Sequence, residues 1–159
     1  VSPSLGKIYS FVNCLPNPEL FFKYKNALTE YDMKSYGGSC PDGWVNGIDE
    51  QYKRMQEADW GYQVKKMGDG MGLVWHSWFM LGRPVITNFS DYKDKLGGLL
   101  FEHLKTGIDL ERNNFEDNLK LIRTLDFKEM GIEARKRFFE IVNYEEETKK
   151  IKIFLDNLI

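Results

Sequence analysis

The sequence predicts one α/β domain on a parallel, doubly wound sheet, and three observations carry that expectation. Short apolar runs alternate with longer amphipathic stretches nearly throughout the chain; parallel strands need a crossover, and the crossover is normally a helix. Within Lys65 to Asn88, KKMGDGMGLVWHSWFMLGRPVITN, a glycine-rich loop, an apolar helix, a glycine stop and a short strand follow one another directly. At 159 residues with 42% hydrophobic residues, the chain has enough apolar surface for a single core.

Taken in order, Ile8 to Leu15 reads as a buried strand ended by Pro16, Asn17 and Pro18. Glu19 to Tyr31 is an amphipathic helix with Leu20, Tyr24 and Leu28 on one face. Met33 to Tyr36 is a short second strand, and the turn-rich loop through Cys40 to Gly43 has no readable path. Gly47 to Asp59 carries Ile48, Tyr52, Met55 and Gln56 at helical spacing, and Trp60 to Val64 is a strand. Leu73 to Leu81 is the central helix, Gly82 and Pro84 end it, and Val85 to Thr87 is a strand. Asn88 to Gly98 is polar and flexible in composition, Leu99 to Leu104 reads as a short helix and Thr106 to Leu110 as a strand. Helices follow over Asn114 to Leu125, over Asp126 to Val142 with Asp126 and Glu129 in capping-box spacing, and over Tyr144 to Leu158. The sum is a Rossmann-like three-layer α/β/α domain over residues 1–159.

A net charge of −2 and a pI near 5.8 give no general attraction for nucleic acid or anionic lipid, so an anion site must be local. Cys14 and Cys40 are the only cysteines, with no CxxC pair and no His/Cys cluster. Neither a disulfide framework nor a metal site is expected. No signal peptide opens the sequence, and no apolar run approaches the roughly 20 residues of a membrane helix. A cytoplasmic location is the simplest expectation.

The glycine-rich loop leaves the first-turn N–H groups of its helix unpaired at the positive end of the helix dipole, where an anion can settle. In an open parallel sheet, ligands bind at the carboxyl ends of the strands, near the switch in strand order. Because the Gly68 to Gly72 loop follows the strand at Trp60 to Val64, it belongs on that edge.

The segment DGMGLVWHSWFMLGRPVI, Asp69 to Ile86, resembles the donor-site motif of the GT-B glycosyltransferases, in the large group that includes sucrose and mannosyl transferases. There an acidic residue and two glycines open a helix that closes on GRPVI. MGIEARKRFFEIVNYEE, from Met130, is similar to that family's penultimate helix and the break after it. The resemblance runs from about Ala58 to the end, and it implies the C-terminal, donor-binding half of a two-domain enzyme. The absence of a methionine before Val1 fits that expectation, as does a length that leaves room for one such domain.

By that resemblance Asp69 is the catalytic-site residue and accepts hydrogen bonds from sugar hydroxyls, while the N–H groups of Gly70, Met71, Gly72 and Leu73 stabilise the departing diphosphate without a metal. Ser77, eight residues after Asp69, faces the ribose where a glutamate is usual. A neutral hydrogen bond of about 0.5 to 1.5 kcal/mol then replaces a charged one of about 1.5 to 3 kcal/mol. The family's Arg and Lys after the first strand have no counterpart in VNCLPNPELFF, so Lys65 and then Lys95 are the candidate diphosphate cations.

The implied partners are a nucleotide sugar and an N-terminal acceptor-binding domain, with peripheral membrane contact through that domain and a role in polysaccharide synthesis. The stripe of Ile151, Phe154, Leu155 and Leu158, within residues 143–159, is expected to pack toward that domain or to drive self-association. Trp75, Trp78 and Phe79 read as core, His76 as a packed helix residue, and Arg83 as support for the helix-to-strand turn. A non-catalytic nucleotide-binding or interaction module and a sugar-nucleotide epimerase domain are the alternatives on the same fold.

Overall fold

The computed structural model describes residues 5–12, 15, 17–68 and 72–157. Five parallel strands, β1 (Gly6–Phe11), β2 (Tyr31–Tyr36), β3 (Trp60–Gln63), β4 (Val85–Thr87) and β5 (Gly107–Asp109), lie in the order β2-β1-β3-β4-β5. Among the described residues six α-helices accompany them: α1 (Pro18–Ala27), α2 (Gly47–Glu57), α3 (Leu73–Met80), α4 (Phe115–Thr124), α5 (Phe127–Ile141) and α6 (Tyr144–Asp156). The expected doubly wound α/β/α architecture is present.

Alternation along the strands divides the core in two. Ile8, Met33, Trp60, Tyr62, Ile86 and Ile108 face Phe21 and Tyr24 of α1 and Leu119 and Ile122 of α4. Their neighbours Tyr9, Phe11, Tyr36 and Val85 face Met55 of α2, Trp75, Trp78 and Phe79 of α3, and Ala134 and Phe138 of α5. Successive side chains of a strand point to opposite faces, so strands covered on both sides read as nearly continuous apolar runs.

Helix starts follow local chemistry. Asn17 accepts from the Leu20 N–H with Pro18 opening α1, Asn114 accepts from Asp117, Asn143 from Glu146, and Asp126 from Lys128 and Glu129. Arg83 donates to the Gln56 carbonyl at 2.6 Å, near the C-terminal end of α2. A guanidinium is favoured there because the last carbonyls lack helical partners.

Three expectations are corrected. The helix expected over Glu19 to Tyr31 ends at Ala27, and Tyr31 opens β2. The strand expected over Ile8 to Leu15 stops at Phe11, where pairing with β2 ends at Tyr36; Asn13, Cys14 and Pro16 fall outside the described residues. The helix expected at Leu99 to Leu104 is absent. Instead, 3-10 turns span Phe89–Asp91 and Leu96–Leu100, and after Phe101 and Glu102 a turn over 104–106, with Leu104 at φ 64°, leads into β5. Gly97 and Gly98 explain the difference. A Cβ on Gly98 would stand 2.2 Å from the Tyr92 carbonyl oxygen, and one on Gly97 would stand 3.2 Å from Trp75 Cβ. The segment is pressed flat against the core through its backbone, with Tyr92 fully buried beneath Trp75. Thr106 Oγ1 accepts the Glu102 N–H at 2.7 Å and closes the following turn.

Candidate functional site

Crossovers change direction between β1 and β3, and the carboxyl ends of those strands part there. A crevice of about 350 Å³ opens at this edge. It is lined by Phe11 and Val12 at the end of β1 and by Tyr36 and Gly37 at the end of β2; the Phe11 and Tyr36 rings stack at 5.1 Å. On the β3 side of β1 the lining is Lys65 with Gly72, Leu73 and Val74 at the start of α3, and on the β2 side it is Trp44, Val45 and Gln51.

The start of α3 differs from the other helix starts. Gly72 occupies the N-cap in the left-handed region, at φ 61° and ψ 37°, with no side-chain cap. The first turn of α3 also lacks an acidic residue, whereas the first turns of α1, α2, α4, α5 and α6 each carry at least one. Glycine meets the backbone requirement without strain, and a Cβ there would press on Gly97 Cα at 3.3 Å. First-turn N–H groups have no intrahelical acceptor, so this end of α3 presents donors and a partial positive charge to the crevice.

The loop leading to Gly72 is clamped from β4. The Lys65 N–H donates to Asn88 Oδ1 at 3.1 Å, and Asn88 Nδ2 donates to the Lys65 carbonyl at 3.3 Å and to Asp91 Oδ2 at 2.6 Å. Asp91 Oδ1 in turn accepts the Met67 N–H at 2.8 Å. Met67 and Gly68 sit at φ 67° and 62°, consecutive left-handed residues that this clamp supports. Asn88 and Asp91 thus fix where the Lys65 backbone leaves the sheet.

Of the residues singled out in the sequence, Lys65, Gly72 and Leu73 meet in the crevice. Asp69, Gly70 and Met71 lie outside the described residues. Ser77 is not among the lining residues; its Oγ donates to the Leu73 carbonyl at 3.0 Å, an i−4 bond within α3. Lys95 stands before the second 3-10 turn, two residues from the Gly97 that abuts Gly72, and is likewise not part of the lining. Trp75, Trp78 and Phe79 are fully buried, as expected of core.

His76 Nδ1 lies 3.0 Å from the Gly72 carbonyl, which can only accept, so that nitrogen carries its proton. His103 Nδ1 instead accepts the Asp109 N–H at 3.0 Å. Burial chiefly, and then the Arg112 charge, lower the pKa of His103. Neither histidine lines the crevice. Among the described residues no group of three or more His, Cys, Asp or Glu side chains could hold a metal ion, and no helix is long and apolar enough to cross a membrane.

Sequence reasoning missed Trp44, Gln51 and the Asn88/Asp91 clamp. Trp44 is a lone aromatic in a turn-rich loop, where no periodicity marks a face. The clamp joins segments more than twenty residues apart; its only local trace is an Asn and an Asp just after a short strand. No family model matches the chain, and no curated protein matches it.

Proposed function

We propose that this domain binds a nucleoside-diphosphate sugar at the carboxyl edge of its sheet and serves as the donor-binding half of a metal-independent glycosyltransferase. The observation that carries the reading is the uncapped, left-handed glycine start of α3, which opens with Lys65 into the crevice at the β1/β3 switch. An anion there gains helix-dipole attraction, backbone donors and a cation together.

The chemistry of transfer suits such a site. As the anomeric C–O bond breaks, negative charge grows on the departing diphosphate, and fixed donors aimed at it lower the barrier without reorganising. Lys65 and the N–H groups from Gly70 to Leu73 take that role, and Asp69 holds sugar hydroxyls. An N-terminal domain supplies the acceptor site and any peripheral contact with a membrane, in cytoplasmic polysaccharide synthesis. The domain by itself binds donor and transfers nothing.

One observation favours a second reading, a nucleotide-binding module without catalysis. The Ser77 hydroxyl is engaged with the Leu73 carbonyl inside its own helix, which leaves the ribose without the charged grip the motif ordinarily gives.

Calorimetric titration with UDP, GDP, ADP and their sugars tests both. Saturable binding of one diphosphate is expected, weakened about tenfold or more by Lys65→Ala, as loss of a charge-assisted hydrogen bond requires. Asp69→Ala should weaken the sugar-bearing ligand and spare the bare diphosphate. Equal effects of Asp69→Ala on both ligands support the non-catalytic module, and no binding at millimolar ligand overturns both readings.

A further inference from the structure

We propose that Trp44 is the platform on which the flat ring of the crevice ligand stacks, so that the domain grips a nucleotide by its base as well as by its phosphates. The inference rests on the nucleotide-binding reading above and assigns the opposite wall of the same crevice.

Four tryptophans occur in the chain. Trp60, Trp75 and Trp78 are at most 1% exposed, while Trp44 is 67% exposed and lines the crevice. Indole is among the largest apolar surfaces a side chain offers, and leaving it in water forgoes most of its burial free energy.

The loop that presents it is nevertheless tied down. The Ser35 N–H donates to Asp42 Oδ2 at 2.8 Å, and the Asp42 N–H returns to the Ser35 carbonyl at 3.2 Å. The Gly37 N–H donates to the Gly43 carbonyl at 2.8 Å, immediately before Trp44. The backbone under Trp44 is therefore anchored to the end of β2 while its ring stays outside the core. A backbone held in this way lowers the ordering cost of a contact that the ring makes later.

The crevice is also chemically divided. Lys65 and the α3 start form a cationic, donor-rich end, and Trp44 forms an aromatic wall opposite. Gln51 adds an amide on the aromatic side, its Nε2 3.9 Å from Met55 Sδ, a weak acceptor that a ligand carbonyl outcompetes. A ligand that satisfies both ends carries an anion and a flat, hydrogen-bonding ring in one molecule. A nucleotide has that composition, and inorganic pyrophosphate has only the anionic half.

Because Trp44 is the exposed indole, acrylamide quenching of tryptophan fluorescence in the full chain reports on it selectively. Saturating nucleoside diphosphate should protect the quenchable fraction, and pyrophosphate should not. Trp44→Ala should weaken nucleoside diphosphate about tenfold or more, the range found for loss of a base-stacking aromatic, and leave pyrophosphate within about twofold. Trp44→Phe should restore most of the loss and Trp44→Leu little of it; matched melting curves would show that each variant folds. Nucleoside diphosphate that binds Trp44→Ala as well as wild type, with quenching unprotected, would overturn the role of Trp44 and leave the nucleotide site standing. If wild type binds pyrophosphate but no nucleotide, both the nucleotide reading and this assignment fall.

Discussion

His103 shows how one half-buried side chain makes stability depend on pH. Its Nδ1 accepts the Asp109 N–H, a bond that only the neutral ring can receive, and burial lowers its folded-state pKa below the ordinary value. Between the folded and unfolded values the unfolded chain holds a proton that the folded chain does not. Acid therefore favours unfolding there. The contribution of His103 is complete above about pH 6.5, the ordinary histidine value, and declines as pH falls from there through the folded value. Urea midpoints of wild type should accordingly drop between pH 7.5 and 5 by more than those of His103→Asn, whose Oδ1 stands where Nδ1 does and can accept the Asp109 N–H but does not titrate. Parallel pH profiles would show that His103 is indifferent to folding.

At the scale of elements, the two stretches that resembled glycosyltransferase motifs turn out to touch. Arg135 of α5 donates to the Met80 carbonyl at the end of α3, and Gly131 lies against the Gly82 turn of GRPVI. A Cβ on Gly131 would stand 2.2 Å from the Gly82 carbonyl oxygen, which is backbone and cannot swing aside. Gly131→Ala should therefore destabilise the fold by about 1 to 3 kcal/mol through overpacking, although alanine is the better helix former. Unchanged denaturant midpoints would mean that α5 slides without cost.

That contact also marks what the sequence could disclose. The helix start at Phe127 was legible because a cap is local: Asp126 accepts from the N–H groups two and three positions on, as Asn17, Asn114 and Asn143 each accept from the one three on, although sequence reasoning recognised none of those three as a cap. The strand at Val85–Thr87 was legible because glycine and proline punctuate its start. Leu96–Leu100 was not, since the shape of that segment is set by how closely Gly97 and Gly98 approach Trp75 and Tyr92. Of the crevice lining, Lys65, Gly72 and Leu73 were singled out in the sequence, around the glycine loop. The position of Trp44 depends on which face of a turn-rich loop meets the sheet edge, and that is decided by the Ser35 and Asp42 hydrogen bonds.

For the molecule as a whole, α6 stands apart. No described residue of it is buried, and Ile151, Ile153, Phe154 and Leu155 are each more than half exposed. Deleting residues 144–159 should thus change the unfolding free energy by less than about 1 kcal/mol, as surface changes do. Urea denaturation of the shortened chain checks this, and a larger loss would show that α6 closes onto the domain in solution.

The opposite holds for α5. Between β4 and β5 the chain supplies 3-10 turns and no α-helix, and Ala134 and Phe138 close the cluster that holds Trp75, Trp78 and Phe79. A chain growing from its N-terminus thus completes the α3 side of the sheet only after Phe138 has been made. Until then the indoles of α3 lack part of their cover, in a topology whose parallel pairings already demand distant contacts. The most apolar helix of the domain thus waits for part of its cover until Phe138 is made, and chains that end between Met80 and Phe138 should aggregate more readily than the full chain.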